Sequence, residues 1–150
     1  MSDTEMRLGR MFAEANQLWQ DATYGRMVQA SFPEVRPAHS PVFRHVAPQG
    51  SRIVDLAARA GMAKQSMAYL VGTLKDAGYL DIATDPADGR ANLIRFTARG
   101  LAAHAALVEA SLQLEKRLED RMGRKRMALL RSLTEEVLAL DADPPKDLAP

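Results

Sequence analysis

Apolar positions recur at helical spacing along most of the chain, and one stretch of alternation interrupts them. Near the N-terminus, Met11, Phe12, Ala15, Leu18, Trp19 and Ala22 form one stripe. Ile53, Leu56, Ala57 and Ala60 form a second, in a helix read from Arg52 to Gly61. Met67, Leu70, Val71 and Leu74 form a third, in a helix from Lys64 to Ala77. Gly61 separates these two helices, because a residue without Cβ can take the left-handed exit of a sharp turn. Alternation then takes over: Leu80 and Ile82 share a face in Tyr79–Thr84, and Ala91–Thr97 alternates again. Between them lies Asp85-Pro-Ala-Asp-Gly-Arg90, so the pattern predicts a β-hairpin with Arg90 at its far end and Arg95 on the returning strand.

Helical spacing resumes from about Ala98 to Met122, where Thr97 is placed to cap the first turn. At about 1.5 Å per residue this helix would be about 36 Å long and would outrun the hairpin unit. Gly123 breaks it. Met127, Leu130, Leu133, Val137 and Leu138 mark a last helix before Asp141-Ala-Asp-Pro-Pro, which reads as a frayed tail. The segment Ser31–Gly50 carries Pro33, Pro37, Pro41 and Pro48, yet Pro41–Val46 has helical apolar spacing with proline in a tolerated first-turn position.

A helix, a tight turn, a second helix and a hairpin make a winged helix-turn-helix, which points to DNA. The outward face of the Lys64–Ala77 helix holds Gln65, Ala68, Tyr69 and Gly72, flanked by Lys64 and Thr73. A helix that enters the major groove needs small residues near the base edges and amide, hydroxyl or cationic tips to reach them. Lys64, Gln65, Ser66 and Tyr69 supply the tips, and Ala68 and Gly72 the room. An exposed mid-helix glycine costs about 1 kcal/mol relative to alanine, so Gly72 marks either close approach to a partner or a neutral solvated position. Arg90 on the wing is placed for a phosphate or the narrow minor groove, against the plainer reading of an ordinary surface arginine. Asp88 is expected to orient its guanidinium through a bidentate pair.

The ordered set resembles the MarR family of transcriptional regulators. It comprises Asp55-Leu-Ala-Ala-Arg-Ala-Gly61, Lys64-Gln-Ser-Met-Ala-Tyr-Leu-Val71, Leu74-Lys-Asp-Ala-Gly-Tyr-Leu80, Asp85-Pro-Ala-Asp-Gly-Arg90 and Phe96-Thr-Ala-Arg-Gly100. The motifs cover Arg52 to Gly100. The resemblance implies that Lys64, Gln65, Ser66 and Tyr69 read the major groove, that Arg90 inserts from the wing and that Arg52 contacts a phosphate. Many members carry two arginines after the wing aspartate, whereas here Gly89 precedes Arg90, which places more of the wing's affinity on Arg90.

The expected architecture is mainly α, an α+β winged helix in one domain over residues 1–150. Its winged helix-turn-helix spans about 47–98, dimerisation helices span about 5–30 and 100–140, and a flexible tail spans 141–150. A single winged unit cannot cover the first and last helices. Burial against a second copy is therefore preferred to a monomeric helical core, giving a homodimer on double-stranded DNA. Its operator would be an inverted repeat with half-sites about 10 base pairs apart.

Composition narrows the picture. The chain has 150 residues, 47% of them apolar, which suffices for a packed core, and a net charge of only +1, which excludes a general polycation. Cationic contacts would have to come from within the winged unit, from Arg52, Lys64, Lys75, Arg90, Arg95 and Arg99. Zero cysteines exclude a thiolate sensor and any thiolate metal site. No apolar run reaches the roughly 18 residues of a membrane span, and Met-Ser-Asp-Thr-Glu does not read as a signal peptide, so a cytoplasmic protein without a membrane partner is expected.

In the resembled family small ligands enter beside the second helix. Trp19, Tyr24, His39, Phe43, His45 and His104 are the candidates to line such an effector pocket, each with ordinary packing as its alternative. No metal or cofactor is expected, although His39, His45 or His104 with carboxylates would suit a regulatory zinc. No nucleophile motif, paired metal histidines or phosphate loop supports an enzyme. The rival reading is a dimeric winged-helix protein-interaction module that does not read DNA; the polar tips on the outer face from Lys64 to Thr73 favour the DNA reading.

Overall fold

A computed structural model of the chain describes residues 7–140; the start of the expected first helix, at 5 and 6, and the expected tail, 141–150, lie outside the described residues. The described residues form two compact units, one up to Ser111 and the other from Leu112. The first contains α1 (Leu8–Tyr24), a 3-10 turn (Pro37–His39), α2 (Ser40–His45), β1 (Ser51–Arg52), α3 (Ile53–Arg59), α4 (Lys64–Asp76), β2 (Leu80–Asp85) and β3 (Asp88–Phe96). It also holds the first part of α5 (Ala98–Met122). The rest of α5 and α6 (Arg124–Ala139) make the second.

The stripes of α3 and α4 read from the sequence become the core of the first unit, whereas the stripe of α1 does not. Leu56 of α3, Met67, Val71 and Leu74 of α4, Val42 of α2 and Met27 are buried together with Tyr79 and Ile94. Gly61 exits α3 with φ +60°, and the Met62 N–H reaches back to the Ala57 carbonyl, so the turn between α3 and α4 closes on glycine. Thr97 acts as expected. Its hydroxyl accepts from the Gly100 N–H at 3.1 Å and donates to the Gly78 carbonyl at 2.6 Å, joining the start of α5 to the end of the α4 segment. A Cβ on Gly100 would overlap the Tyr79 carbonyl oxygen, so the helix can approach this closely only with glycine there.

The sheet departs from the sequence reading in two ways. It has three antiparallel strands in the order β1-β3-β2, because Ser51 and Arg52 pair with Ile94 and Leu93. Arg52 is therefore extended and α3 starts one residue later, at Ile53. The wing tip also lies earlier than Asp88-Gly89: Asp85 faces Asp88 across Pro86 and Ala87, after a register shift at Thr84/Asp85. Proline fixes the first turn position, and the Asp85 Oδ1 accepts from the Ala87 N–H at 2.9 Å, an Asx turn that outcompetes the Asp-Gly signal. Arg90 consequently sits on β3, two residues past the start of the strand, and not at the tip.

Helices outside the winged part keep large side chains in water. Leu8, Met11, Phe12 and Leu18 of α1 are exposed, and none of α6 is buried; Leu133 is 50% exposed and Leu138 71%.

Candidate nucleic-acid interface

The α4 helix offers its N-terminus uncapped. Ala63 precedes it in extended conformation and supplies no side-chain cap, and no acidic residue lies in the first turn. The first backbone N–H groups of the helix are thus free for an anion, and Lys64 adds a cation where the helix dipole alone would disfavour one. Lys64, Gln65, Ser66, Ala68 and Tyr69 are all exposed, Tyr69 to 71%. A phenol ring this exposed is open to a partner. Gly72 is half-buried, and a Cβ there would meet nothing within 4 Å, so its backbone is open to a partner's approach.

Alternation along β3 puts Arg90 and Asn92 on the same face as the buried Ile94. Arg90, Asn92 and Ile94 line a cavity of about 350 Å³ together with Lys64 at the start of α4 and Arg52. Strand and helix thus bring three cations, read separately in the sequence, to one depression. Gln65, Ser66 and Tyr69 line a neighbouring depression with Met62 and Leu70. The six expected DNA contacts therefore occupy two recesses of the winged unit, both reached by α4.

Their electrostatics differ from expectation. Asp88 does not pair with the Arg90 guanidinium. Its Oδ1 accepts from the Arg90 backbone N–H at 3.1 Å, while its Oδ2 lies 3.7 Å from Arg52. The reason is the turn: once Pro86 and Ala87 form the tip, Asp88 opens β3 and its carboxylate reaches forward to the backbone of its own strand at Arg90. The oriented arginine is Arg52, whose Nε and Nη2 both donate to Asp85 Oδ2, at 3.0 and 2.6 Å. Asp85 is buried and accepts from the Ala87 N–H and from Arg52, which together hold its carboxyl below the usual range. Arg52 is thus a half-exposed clamp on the wing base, with part of its charge neutralised before any phosphate arrives. Arg95 is likewise engaged, donating to the Gln49 carbonyl at 3.1 Å. The Arg90 guanidinium is exposed and, among the described residues, forms no ion pair.

The six effector-pocket candidates sit in different local settings. Phe43, Phe96 and His104 stack as an aromatic cluster, with Phe43 to Phe96 centroids 5.4 Å apart. Trp19 donates its indole N–H to the Ser111 hydroxyl at 3.3 Å. The Tyr24 phenol bonds Ser40, and burial pushes its pKa up. His45 lines a polar depression of about 280 Å³ with Asn16, Gln20 and Arg44; burial first, then the charges of Arg44 and Arg59, lower its pKa. His39 is buried and spends both ring nitrogens on protein partners, Arg36 and Thr73. Among the described residues no group of three or more His, Asp or Glu side chains is placed to hold a metal, and no helix is long and apolar enough to cross a membrane.

The sequence reading did not single out Asp85, Thr73 as a partner of His39, or the cluster in which the buried Tyr79 donates to Glu34 at 2.5 Å beneath the Arg99 guanidinium. Each pairs residues at least 20 positions apart, beyond any local pattern. Asp85 alone left a trace, as the residue before proline in a turn, where Asx bonding is common.

Residues 35–91 match the MarR family model. No curated protein matches the sequence. Among solved structures, the chain is similar to CouR from Rhodococcus jostii RHA1 bound to p-coumaroyl-CoA, with 18% identity over 95% of this chain and 97% of that one and a TM-score of 0.74. It is similar to wild-type MarR in its apo form from E. coli, with 20% identity, 91% and 99% coverage and a TM-score of 0.72. A MarR family transcriptional regulator from Streptomyces coelicolor in complex with DNA matches with 16% identity, 100% and 95% coverage and a TM-score of 0.66. The MarR family model thus matches residues 35–91, and the fold is similar to that of MarR structures along nearly all of the chain.

Proposed function

We propose that the chain is a DNA-binding transcriptional regulator that acts as a homodimeric repressor and leaves its operator when a small-molecule effector binds. The observation that carries this reading is the meeting of Lys64, at the uncapped start of α4, with Arg90 of the wing in one cationic recess, beside the exposed Gln65, Ser66 and Tyr69. That is the arrangement a groove-reading helix and a backbone-contacting wing require. Lys64 and the free N–H groups of α4 take phosphate, Gln65, Ser66 and Tyr69 meet base edges, and Arg90 reaches the backbone or minor groove. Arg52 acts on DNA chiefly by holding the wing base through Asp85.

The exposed leucines of α6 and apolar face of α1 support the dimer, since patches of this kind in water are costly and a second copy covers them by two-fold symmetry. Two recognition helices then meet successive major grooves about 34 Å apart. An effector works by binding one dimer geometry better than the other. The fold is shared with a protein bound to p-coumaroyl-CoA and with one in complex with DNA, which supports both partners.

Selection of bound duplexes from random DNA tests the reading. An inverted repeat with half-sites about 10 base pairs apart is expected. If six to ten phosphates are engaged, affinity should fall about 10³- to 10⁵-fold between 50 and 200 mM salt. No enriched sequence would return the chain to the interaction-module reading.

A further inference from the structure

His39 sits in the turn before α2, is 8% exposed, and is joined to the recognition helix by a chain of hydrogen bonds that only one form of the ring can make. The Arg36 backbone N–H donates to His39 Nδ1 at 3.1 Å, so that nitrogen must hold a lone pair. The neutral ring then carries its proton on Nε2, 3.1 Å from the Thr73 hydroxyl oxygen. Thr73 has its own hydroxyl committed to the Leu70 carbonyl at 2.8 Å, so its oxygen is the acceptor that Nε2–H needs. The bonds run in one direction, from Arg36 N–H through the imidazole and Thr73 to the α4 backbone. A proton added at Nδ1 would face the Arg36 N–H donor to donor and strand both in a buried turn.

We propose that His39 is a positioning residue for DNA binding, which stays seated between the Arg36 turn and Thr73 of α4 only while its neutral Nδ1 accepts from the Arg36 N–H, so that acidification unseats the ring, loosens the recognition helix and releases DNA. The inference rests on the DNA-binding reading above and adds a proton as a signal for the same site. The surroundings support a neutral ring. Its own turn presents Arg36, α2 presents Arg44, α1 presents the Tyr24 phenol by way of Ser40, and α4 presents the uncharged Thr73. Burial first, and then the charge of Arg36, place the His39 pKa below the ordinary value of about 6.5. A folded pKa depressed in this way makes the protein lose stability as pH falls from 6.5 toward that lower value, because the unfolded chain takes up the proton first.

The sign of the effect on DNA identifies it. Protonating either of the other two histidines, His45 or His104, adds positive charge and should strengthen binding to phosphate. Release on acidification runs against that trend and needs a group whose neutral form is the binding form. The test compares affinity for the selected operator duplex at pH 7.5 and 5.5, at constant salt, for the wild type and for His39→Gln, whose amide can reach Thr73 without titrating. Wild-type affinity is expected to fall on the order of tenfold, about the effect of one or two lost hydrogen bonds, and the variant to stay level or tighten. A wild type that tightens in acid, or a variant that weakens in parallel with it, overturns the proposal. An independent readout uses the wild-type protein without DNA: NMR amide signals of Gly72 and Thr73 should follow the titration of the His39 ring. If they do not, the proposal fails even where DNA binds. If no duplex is enriched, the DNA reading fails and the NMR titration alone decides whether His39 governs α4.

Discussion

The winged part of the first unit and the α6 helix of the second use similar side chains to opposite ends. Leu56, Met67 and Leu74 are wholly buried, whereas Leu129, Leu133 and Leu138 are half or more exposed. Charged side chains follow the same division. In the winged part, Arg52 holds the buried Asp85, and Arg99 lies 4.6 Å over the ring of the buried Tyr79. In the second unit, Arg131 bonds Glu115 and Arg124 approaches Glu119 as exposed surface pairs. The winged part packs its apolar side chains inside and shows polar tips, whereas α6 leaves its apolar side chains exposed. In the proposed function these are two halves of one device: the winged part presents DNA contacts, and α6 sets where a second copy of those contacts lies.

The largest effects should break this contrast at its core. Leu74→Ala is expected to destabilise the fold by about 2–5 kcal/mol, read as a fall in the midpoint of urea unfolding. Leu133→Ala should leave that midpoint at high protein concentration little changed and shift the mass measured by light scattering toward the monomer. If both variants lose stability equally at every concentration, the leucines of α6 belong to the monomer's own core and the proposed dimer is wrong.

Smaller effects should separate the DNA contacts. Gln65→Ala should cost about 1–3 kcal/mol on the preferred operator and relax selection at one position per half-site. Arg90→Ala should weaken all duplexes about equally and reduce the salt slope by about one. Indistinguishable profiles for the two would remove the division between base reading and wing contact. Asp85→Asn should lower the affinity less than Arg90→Ala, because it frees Arg52 without removing a cation, and that ranking is checked by titration on one operator.

The smallest effect concerns acid. Asp85 and Glu34 both have carboxyls held below the usual range, Asp85 chiefly by the Ala87 N–H and Glu34 chiefly by the Tyr79 hydroxyl. Their contribution is fully present above the unfolded carboxylate range near pH 4 and is lost as pH falls through the folded values. Thermal unfolding of Glu34→Gln should therefore depend less steeply on pH below 4 than that of the wild type; equal slopes would mean that Glu34 shares no energy with Tyr79.

Much of the fold was legible because it is written in local spacing. The stripes of α3 and α4, the glycine exit at Gly61, the hairpin and the Thr97 cap each depend on residues within a few positions of one another. The exposed polar tips of α4 were legible for the same reason, since a helix with one apolar face must show the other. What spacing could not reach was any choice between competing partners. Asp88 could have taken the Arg90 side chain or its backbone, Asp-Gly or Pro-Ala could have made the tip, and Arg52 could have opened a helix or paired as a strand.

By itself, the sequence determined a mainly helical chain with a winged helix-turn-helix, the exposed polar face of α4 and an excess of apolar helix surface, because periodicity and turn chemistry act over one or two turns of backbone. Only the tertiary structure decided that Arg52 belongs to Asp85, that His39 belongs to Thr73 and that Lys64 and Arg90 share a recess. Those pairings join positions 26 to 34 residues apart, and packing of the whole unit, not local preference, brings them within reach.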